Sequence, residues 1–226
     1  MLSIARYNIA VILAGGLGAR VGGSLPKQLR ALPDGRTLLA TCMDTFRACS
    51  CIDEVVVVMH PAWRAYVPDG ITVIDGGKER WESSYNAICA LQERFSEAEK
   101  VNVLLHDCAR PYVSRAIIER VCAGLQEHEA VSVAVPVVDT IYRTENGQVR
   151  AIPPRQSMMR AQTPQGFRLS VLCRAFALAQ QDQEGIAATD DAGIVLRYLP
   201  DTPVYIIMGE EKNKKITYET DLPNSH

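Results

Sequence analysis

The stretch Ile9–Gln28, IAVILAGGLGARVGGSLPKQ, decides how the chain is read. Its apolar, β-type run Ile9–Leu13 enters Ala14-Gly15-Gly16-Leu17-Gly18, and two cations, Arg20 and Lys27, follow. A buried strand that runs into a glycine-rich turn brings backbone N–H groups to the carboxyl end of a sheet, where open α/β sheets take their ligands. Glycines let the backbone approach an anion, and their N–H groups form a concave nest around it. The two cations would neutralise charge developing on a phosphoryl group. The stretch therefore predicts a nucleotide-phosphate site. It is not a dinucleotide fingerprint, because Val21 replaces the third glycine and no acidic residue follows at the ribose spacing. Nor is it a P-loop, since no Gly-Lys-Ser/Thr is present. These two absences weaken the rival reading as a sugar-nucleotide oxidoreductase. A regulatory module that binds a nucleotide without turning it over is a second rival.

Working outward, strand-like and helix-like stretches alternate. Thr37–Ala48 carries apolar residues at helical spacing, and Glu54–Met59, EVVVVM, reads as a strand covered on both faces. Ile71–Ile74 is a short strand that ends at Asp75-Gly76-Gly77, and Arg80–Phe95 is a helix. Val101–Leu105 is a strand ending at His106-Asp107, Ser114 caps a helix to Glu127, and Val131–Val135 is a further strand. Helices follow at Arg168–Gln181 and Thr189–Leu199, and a late strand at Val204–Met208. The repeated β–α order predicts one α/β domain over residues 1–226, Rossmann-like, with a mainly parallel twisted sheet and helices on both faces. The interval Pro136–Gln165 breaks this order. Asn146-Gly147 is a hairpin turn signal between Thr140-Ile141-Tyr142 and Val149–Ile152, which predicts a two-stranded arm at about residues 136–158. An isolated hairpin is not stable alone, so the arm is expected to pack on a second subunit.

Composition narrows the classes. The apolar fraction is 47%, the charged fraction 22% and the formal net charge −2, which argues against a duplex nucleic-acid partner. The longest apolar run is far short of a membrane span. Seven scattered cysteines without CxxC spacing read as reduced thiols, and no h-region follows the N-terminus, so the expected setting is the cytoplasm. The four histidines have no metal-ligand spacing and GxSxG is absent.

Further candidate sites lie at strand ends. In Asp75-Gly76-Gly77-Lys78-Glu79-Arg80, glycines let main-chain groups read a base or ribose, with Ser83 one turn away; an ordinary turn is the plainer alternative. In His106-Asp107-Cys108-Ala109-Arg110, a carboxylate beside a triphosphate suits Mg²⁺, and Arg110 suits a phosphate, the plainer alternative being an Asp107–Arg110 ion pair. Asp139-Thr140, Arg155 and Gln162-Thr163-Pro164-Gln165 lie on or after the arm. Thr189-Asp190 begins a helix, and Lys212–Thr217 is a charged run from which one lysine could close over an anion.

Taken together, AGGLGARVGGSLPKQ, GGKERWESSYNAI, HDCARPYV, PVVDTIYR, PRQSMMRAQTPQGF, TDDAG and NKKIT resemble, in order and over Ile9 to about Leu222, the cytidylyltransferases that couple CTP to a polyol phosphate. Two branches are involved, acting on 2-C-methyl-D-erythritol 4-phosphate and on ribitol 5-phosphate. The resemblance implies a magnesium-dependent homodimer in which Ala14, Gly15, Gly16, Leu17 and Gly18 hold the CTP phosphates. It implies that Arg20 and Lys27 stabilise charge at the α-phosphate, that Gly77, Lys78 and Ser83 read cytosine and ribose, and that Asp107 lies near Mg²⁺. Arg110, Thr140, Arg155, Thr189 and Lys215 would hold the polyol phosphate, Thr140 and Arg155 from an arm that reaches the partner's site. Cys108 and Gly193 stand where the family more usually has other small residues. Leu25-Pro26-Lys27-Gln28, Trp63 and Gln162–Gln165 look closer to the ribitol branch, and Ala109-Arg110 closer to the methylerythritol branch. The methylerythritol reaction is the first expectation, because that branch is the more widespread.

Overall fold

A computed structural model describes residues 6–15, 25–183, 185–186 and 188–221. The first strand, β1 (Tyr7–Ala14), is buried from Asn8 onward. Alternation sends Ile9, Val11 and Leu13 to one face of the sheet and Ala10, Ile12 and Ala14 to the other. Each set needs its own cover, because full burial of one such aliphatic side chain contributes about 1.5–3 kcal/mol. Helices α1 (Leu38–Arg47), after β1, and α3 (Arg115–Glu127) supply it on the Ile12 side. Helices α2 (Arg80–Arg94), α4 (Leu169–Ala179) and α5 (Asp191–Tyr198) supply it on the Ile9 side. Side-chain caps start three of these helices. Thr37 accepts from Ala40 N at 3.0 Å, Ser114 from Ile117 N at 3.2 Å and Asp190 from Gly193 N at 2.9 Å.

The remaining strands are β2 (Glu54–Met59), β3 (Thr72–Asp75), β4 (Val101–Asp107), β5 (Ala130–Pro136), β6 (Arg143–Glu145), β7 (Gln148–Ala151), β8 (Met159–Arg168) and β9 (Tyr205–Met208). Seven of them form one sheet in the order β3-β2-β1-β4-β8-β5-β9. All run parallel except β8, which is antiparallel to both β4 and β5. The connections from β1 go to β2 on one side and, through β3 and α2, to β4 on the other. The switch point of the α/β sheet therefore lies between the carboxyl ends of β1 and β4.

Two expectations need correction. The helix expected from Arg168 begins at Leu169, and Gln162–Gln165, which follows the arm as expected but for which no strand is predicted, lies inside β8, which runs from Met159 to Arg168 through the middle of the sheet. Its register with β5 shifts between Ser132 and Ala134, opposite the cis Thr163–Pro164 bond, which is where a strand tolerates proline. A Cβ at Gly166 would stand 2.9 Å from Val121 and Leu125 side-chain carbons, so glycine is what lets α3 lie on β8. In the arm, the first strand is Arg143–Glu145 rather than Thr140–Tyr142. Asn146 (φ 50°) and Gly147 (φ 74°) make a two-residue turn, so both strands must abut it. The arm is exposed along nearly its whole length.

Candidate active site

Gly15, just after β1, and Gly76, just after β3, meet at the carboxyl edge of the sheet. A Cβ on Gly15 would stand 2.9 Å from Ser83 Oγ and 3.3 Å from Gly76 Cα, so the two backbones touch only because side chains are missing. Ser83, buried in the first turn of α2, accepts a hydrogen bond from Gly77 N at 3.1 Å. Lys78 N and Glu79 N both donate to the Glu82 carboxylate, which holds the Gly77-Lys78 turn against the helix start. Gly15, Gly77, Lys78 and Ser83 are thus neighbours, as a base- and ribose-reading edge requires. Ala14 closes β1, and its carbonyl accepts from the buried Gln28 side chain at 2.7 Å, which fixes where the neighbouring Lys27 leaves the backbone. Lys27 Nζ donates to the Ile216 carbonyl at 2.5 Å. Arg20, Gly16, Leu17 and Gly18 lie outside the described residues.

Asp107, the last residue of β4, is the centre of charge. Its Oδ1 faces Arg80 Nε at 2.9 Å and its Oδ2 faces Lys215 Nζ at 2.7 Å. The other arm of the Arg80 fork reaches Asp191 Oδ2 at 2.8 Å. Burial alone would raise the Asp107 pKa, but the two cations outweigh it and hold the carboxyl well below the usual range. Burial likewise opposes the charge on Arg80, and Asp191 and Asp107 more than offset it. The expected Asp107–Arg110 pair does not form. Arg110 NH1 instead donates to the Asn213 carbonyl at 2.8 Å and NH2 to the Ala161 carbonyl at 3.1 Å. Burial lowers the Arg110 pKa, with Asp107 opposing the shift and Arg80 adding to it.

Beneath this layer the hydrogen bonds have one direction. Asp107 N–H donates to Thr163 Oγ1 at 3.1 Å; the Arg110 carbonyl can only accept, so His106 Nε2–H donates to it at 3.1 Å, and Nδ1 of the neutral ring accepts from the Thr163 hydroxyl at 3.0 Å. Both imidazole nitrogens are engaged, and burial lowers the His106 pKa to about 4. The histidine is a neutral strut under the Asp107–Arg110 turn. Gln165, two residues further along β8, is a strut of the same kind. It donates to Ser132 Oγ and Asp190 Oδ2, and accepts from Asp191 N and Ala192 N, which ties the start of α5 to the sheet.

These groups line a cavity of about 190 Å³ bounded by Arg80, Asp107, Arg110, Thr163, Thr189 and Lys215, among others. Of the residues predicted to hold the polyol phosphate, Arg110, Thr189 and Lys215 are brought together here. Thr140 and Arg155 are not: both are exposed on the arm, where Arg155 NH1 holds the Val138 carbonyl at 2.9 Å. Arg80, Thr163, Gln165 and Asp191 were given no role from sequence. Arg80 Nε and NH2 reach residues 27 and 111 positions away, which no local spacing reveals. Among the described residues no group of three His, Cys, Asp or Glu could cage a metal. The donor set is one hard carboxylate with lone pairs left beside an anion pocket. It fits a magnesium ion held mostly by phosphate oxygens.

Two glycines in contact beside the switch point, a carboxylate between cations and an anion-sized cavity fit an α/β nucleotidyltransferase. Residues 8–226 match the family described as IspD: 2-C-methyl-D-erythritol 4-phosphate cytidylyltransferase. The chain belongs to that family. It is 43% identical to 2-C-methyl-D-erythritol 4-phosphate cytidylyltransferase of Thermobifida fusca, over 94% of this chain and 89% of that protein. It is also 37% identical to the bifunctional ribulose 5-phosphate reductase/CDP-ribitol pyrophosphorylase Bcs1 of Haemophilus influenzae, over 95% of this chain but 46% of that longer protein. The crystal structure of 2-C-methyl-D-erythritol 4-phosphate cytidylyltransferase from Thermus thermophilus superposes with a TM-score of 0.72 at 34% identity, covering 94% of each chain.

Proposed function

We propose that this chain joins the CMP part of CTP to 2-C-methyl-D-erythritol 4-phosphate and releases pyrophosphate, and that it does so as a cytoplasmic, magnesium-dependent homodimer. The observation that carries the reading is the Asp107 cluster, where Arg80, Arg110 and Lys215 surround one carboxylate at the edge of the glycine turns. An oxygen of the acceptor phosphate attacks the α-phosphorus of CTP, a new P–O bond forms, and the bond to the β-phosphate oxygen breaks in line. The attacking phosphate is already anionic, so no general base is needed. Catalysis is then positioning and charge neutralisation. The buried neutral His106 agrees with this, since both its nitrogens are committed to the scaffold.

Gly15, Gly77, Lys78 and Ser83 orient the nucleoside, Lys27 meets the α-phosphate together with Arg20, and Lys215, Arg110 and Thr189 hold the acceptor phosphate. Asp107 is the residue that would hold magnesium, which supplies charge neutralisation on the triphosphate when bound. The exposed apolar residues of the arm, Val138, Ile141, Tyr142, Val149 and Ile152, support its packing on a second subunit, which brings Thr140 and Arg155 to the partner's pocket. Seven unbridged thiols support the cytoplasmic setting.

The likeness to a CDP-ribitol pyrophosphorylase favours ribitol 5-phosphate as the second reading. Pyrophosphate release with CTP and Mg²⁺, run in parallel on the two acceptors, separates them. Preference for methylerythritol phosphate is expected. Preference for ribitol phosphate moves the enzyme to the other branch, and release with neither removes both acceptors.

A further inference from the structure

Arg80 has no counterpart among the residues assigned so far, yet its guanidinium joins three elements of the fold. It stands at the first position of α2. Nε holds Asp107 at the end of β4, and NH2 holds Asp191 at the start of α5. Asp191 is fully buried, its N–H is accepted by Gln165, and its second oxygen, Oδ1, has no partner among the described residues. It is therefore a fixed anchor whose charge is met by one guanidinium.

The two cations on Asp107 differ in kind. The Arg80 side chain is 25% exposed and pinned at both ends of its fork, whereas the Lys215 side chain is 43% exposed and has a flexible stem. When an anionic substrate enters the cavity, the ammonium can turn to it at the loss of one hydrogen bond. The guanidinium cannot turn without stranding Asp191, and an uncompensated buried carboxylate is costly.

We propose that Arg80 is a positioning residue for the transfer: braced on Asp191, it keeps Oδ1 of Asp107 in place while Lys215 leaves Oδ2 for the substrate phosphate. This rests on the cytidylyltransferase reading above. It gives Asp191 and Gln165 a role as well, since they hold the brace. The order of events is fixed by which partner is tethered twice.

The test is a set of Arg80→Gln, Arg80→Lys, Asp191→Asn and Arg80→Gln/Asp191→Asn enzymes, assayed for pyrophosphate release at saturating and limiting CTP. Folding is checked by circular dichroism, and rates are expressed per folded molecule. Arg80→Gln is expected to lose about 100-fold in kcat, the size of a small misplacement at a reacting centre, with the KM for CTP within about threefold. Arg80→Lys should fold as well as the parent but recover little kcat, because one ammonium does not match a fork that spans two carboxylates. The double variant should be no slower than Arg80→Gln alone, as for residues acting in series.

Full kcat per folded molecule in Arg80→Gln overturns the proposal, and so does a double variant whose losses multiply. A parent enzyme that releases no pyrophosphate with either acceptor overturns the reading beneath it, and the proposal falls with that reading. An active parent with indifferent variants overturns the proposal alone.

Discussion

The hydroxyl of Thr163 lies 3.0 Å from Nδ1 of His106, and the two side chains meet from antiparallel neighbours, β8 and β4. Thr163 also takes the N–H of Asp107, so one hydroxyl carries both the strut and the turn above it. Thr163→Val keeps the shape and removes the hydroxyl. It leaves a buried N–H and a buried imidazole nitrogen unpaired, which should cost about 1–3 kcal/mol. Urea denaturation measures this, and a midpoint equal to the parent's would contradict the hydrogen bonds assigned to the Thr163 hydroxyl.

His106 gives the protein a pH dependence of known sign. Its pKa is about 4 in the folded chain, against about 6.5 for an ordinary histidine. Above pH 6.5 neither state binds the proton. Between about pH 6.5 and 4 the unfolded chain takes it up first, so stability falls as pH falls through that window, by about 3 kcal/mol in all. Asp107 acts elsewhere: its lowered pKa adds stability that is lost only below the ordinary carboxylate range. Denaturation midpoints from pH 7 to 4.5 should therefore slope less in His106→Gln than in the parent. Parallel slopes would exclude the assignment.

Lys27 is half-buried and tied to the segment that carries Lys215 through the carbonyl of the buried Ile216. Lys27→Ala is expected to fold and to lose about 100- to 1,000-fold in kcat, as removal of one charge-stabilising donor does. Arg20→Ala is expected to behave alike. Near-normal turnover in both would remove charge neutralisation at the α-phosphate from the mechanism.

Thr140 and Arg155 stand apart from the cavity of their own chain. If the arm completes the partner's site, Arg155→Ala and Lys27→Ala place both defects in the same pocket of a mixed dimer and leave the other pocket intact. Each variant alone should be inactive. Mixing them under exchange conditions should restore up to about one quarter of parental activity from the one intact pocket in each mixed dimer, half of dimers being mixed. No recovery on mixing, with exchange verified by mass, rules the shared site out.

The alternating elements were legible because each strand from Ile9–Leu13 to Val131–Val135 is a mostly apolar run with at most one polar residue, and the helices keep a 3.6-residue apolar pattern. Strand β8 was hidden for the opposite reason. Its centre, Gln162-Thr163-Pro164-Gln165-Gly166, is polar and carries both residues that usually end strands. The Thr163, Gln165 and Gln162 side chains are buried because they hydrogen-bond to His106, Asp190 and Asn213, partners that only the fold brings near. The site divides in the same way. Asp107, Arg110 and Lys215 stand out as charges at strand ends or in a charged run, while Arg80 matters only through two contacts distant in sequence.

Strand β8 runs against its neighbours, so it delivers its first residues, not its last, to the edge where ligands bind. The chain leaves that edge at Pro136 and comes back to it at Met159, where the two residues pair. Everything between is an excursion with both feet on the rim of the cavity, closed by Val137 N on the Met158 carbonyl at 3.3 Å. Evolution can then lengthen, shorten or recolour the hairpin tip without re-aiming Thr163 or Asp107. A graft of another relative's arm between these two feet becomes a self-contained exchange, one that alters the company the enzyme keeps while its own chemistry stays put.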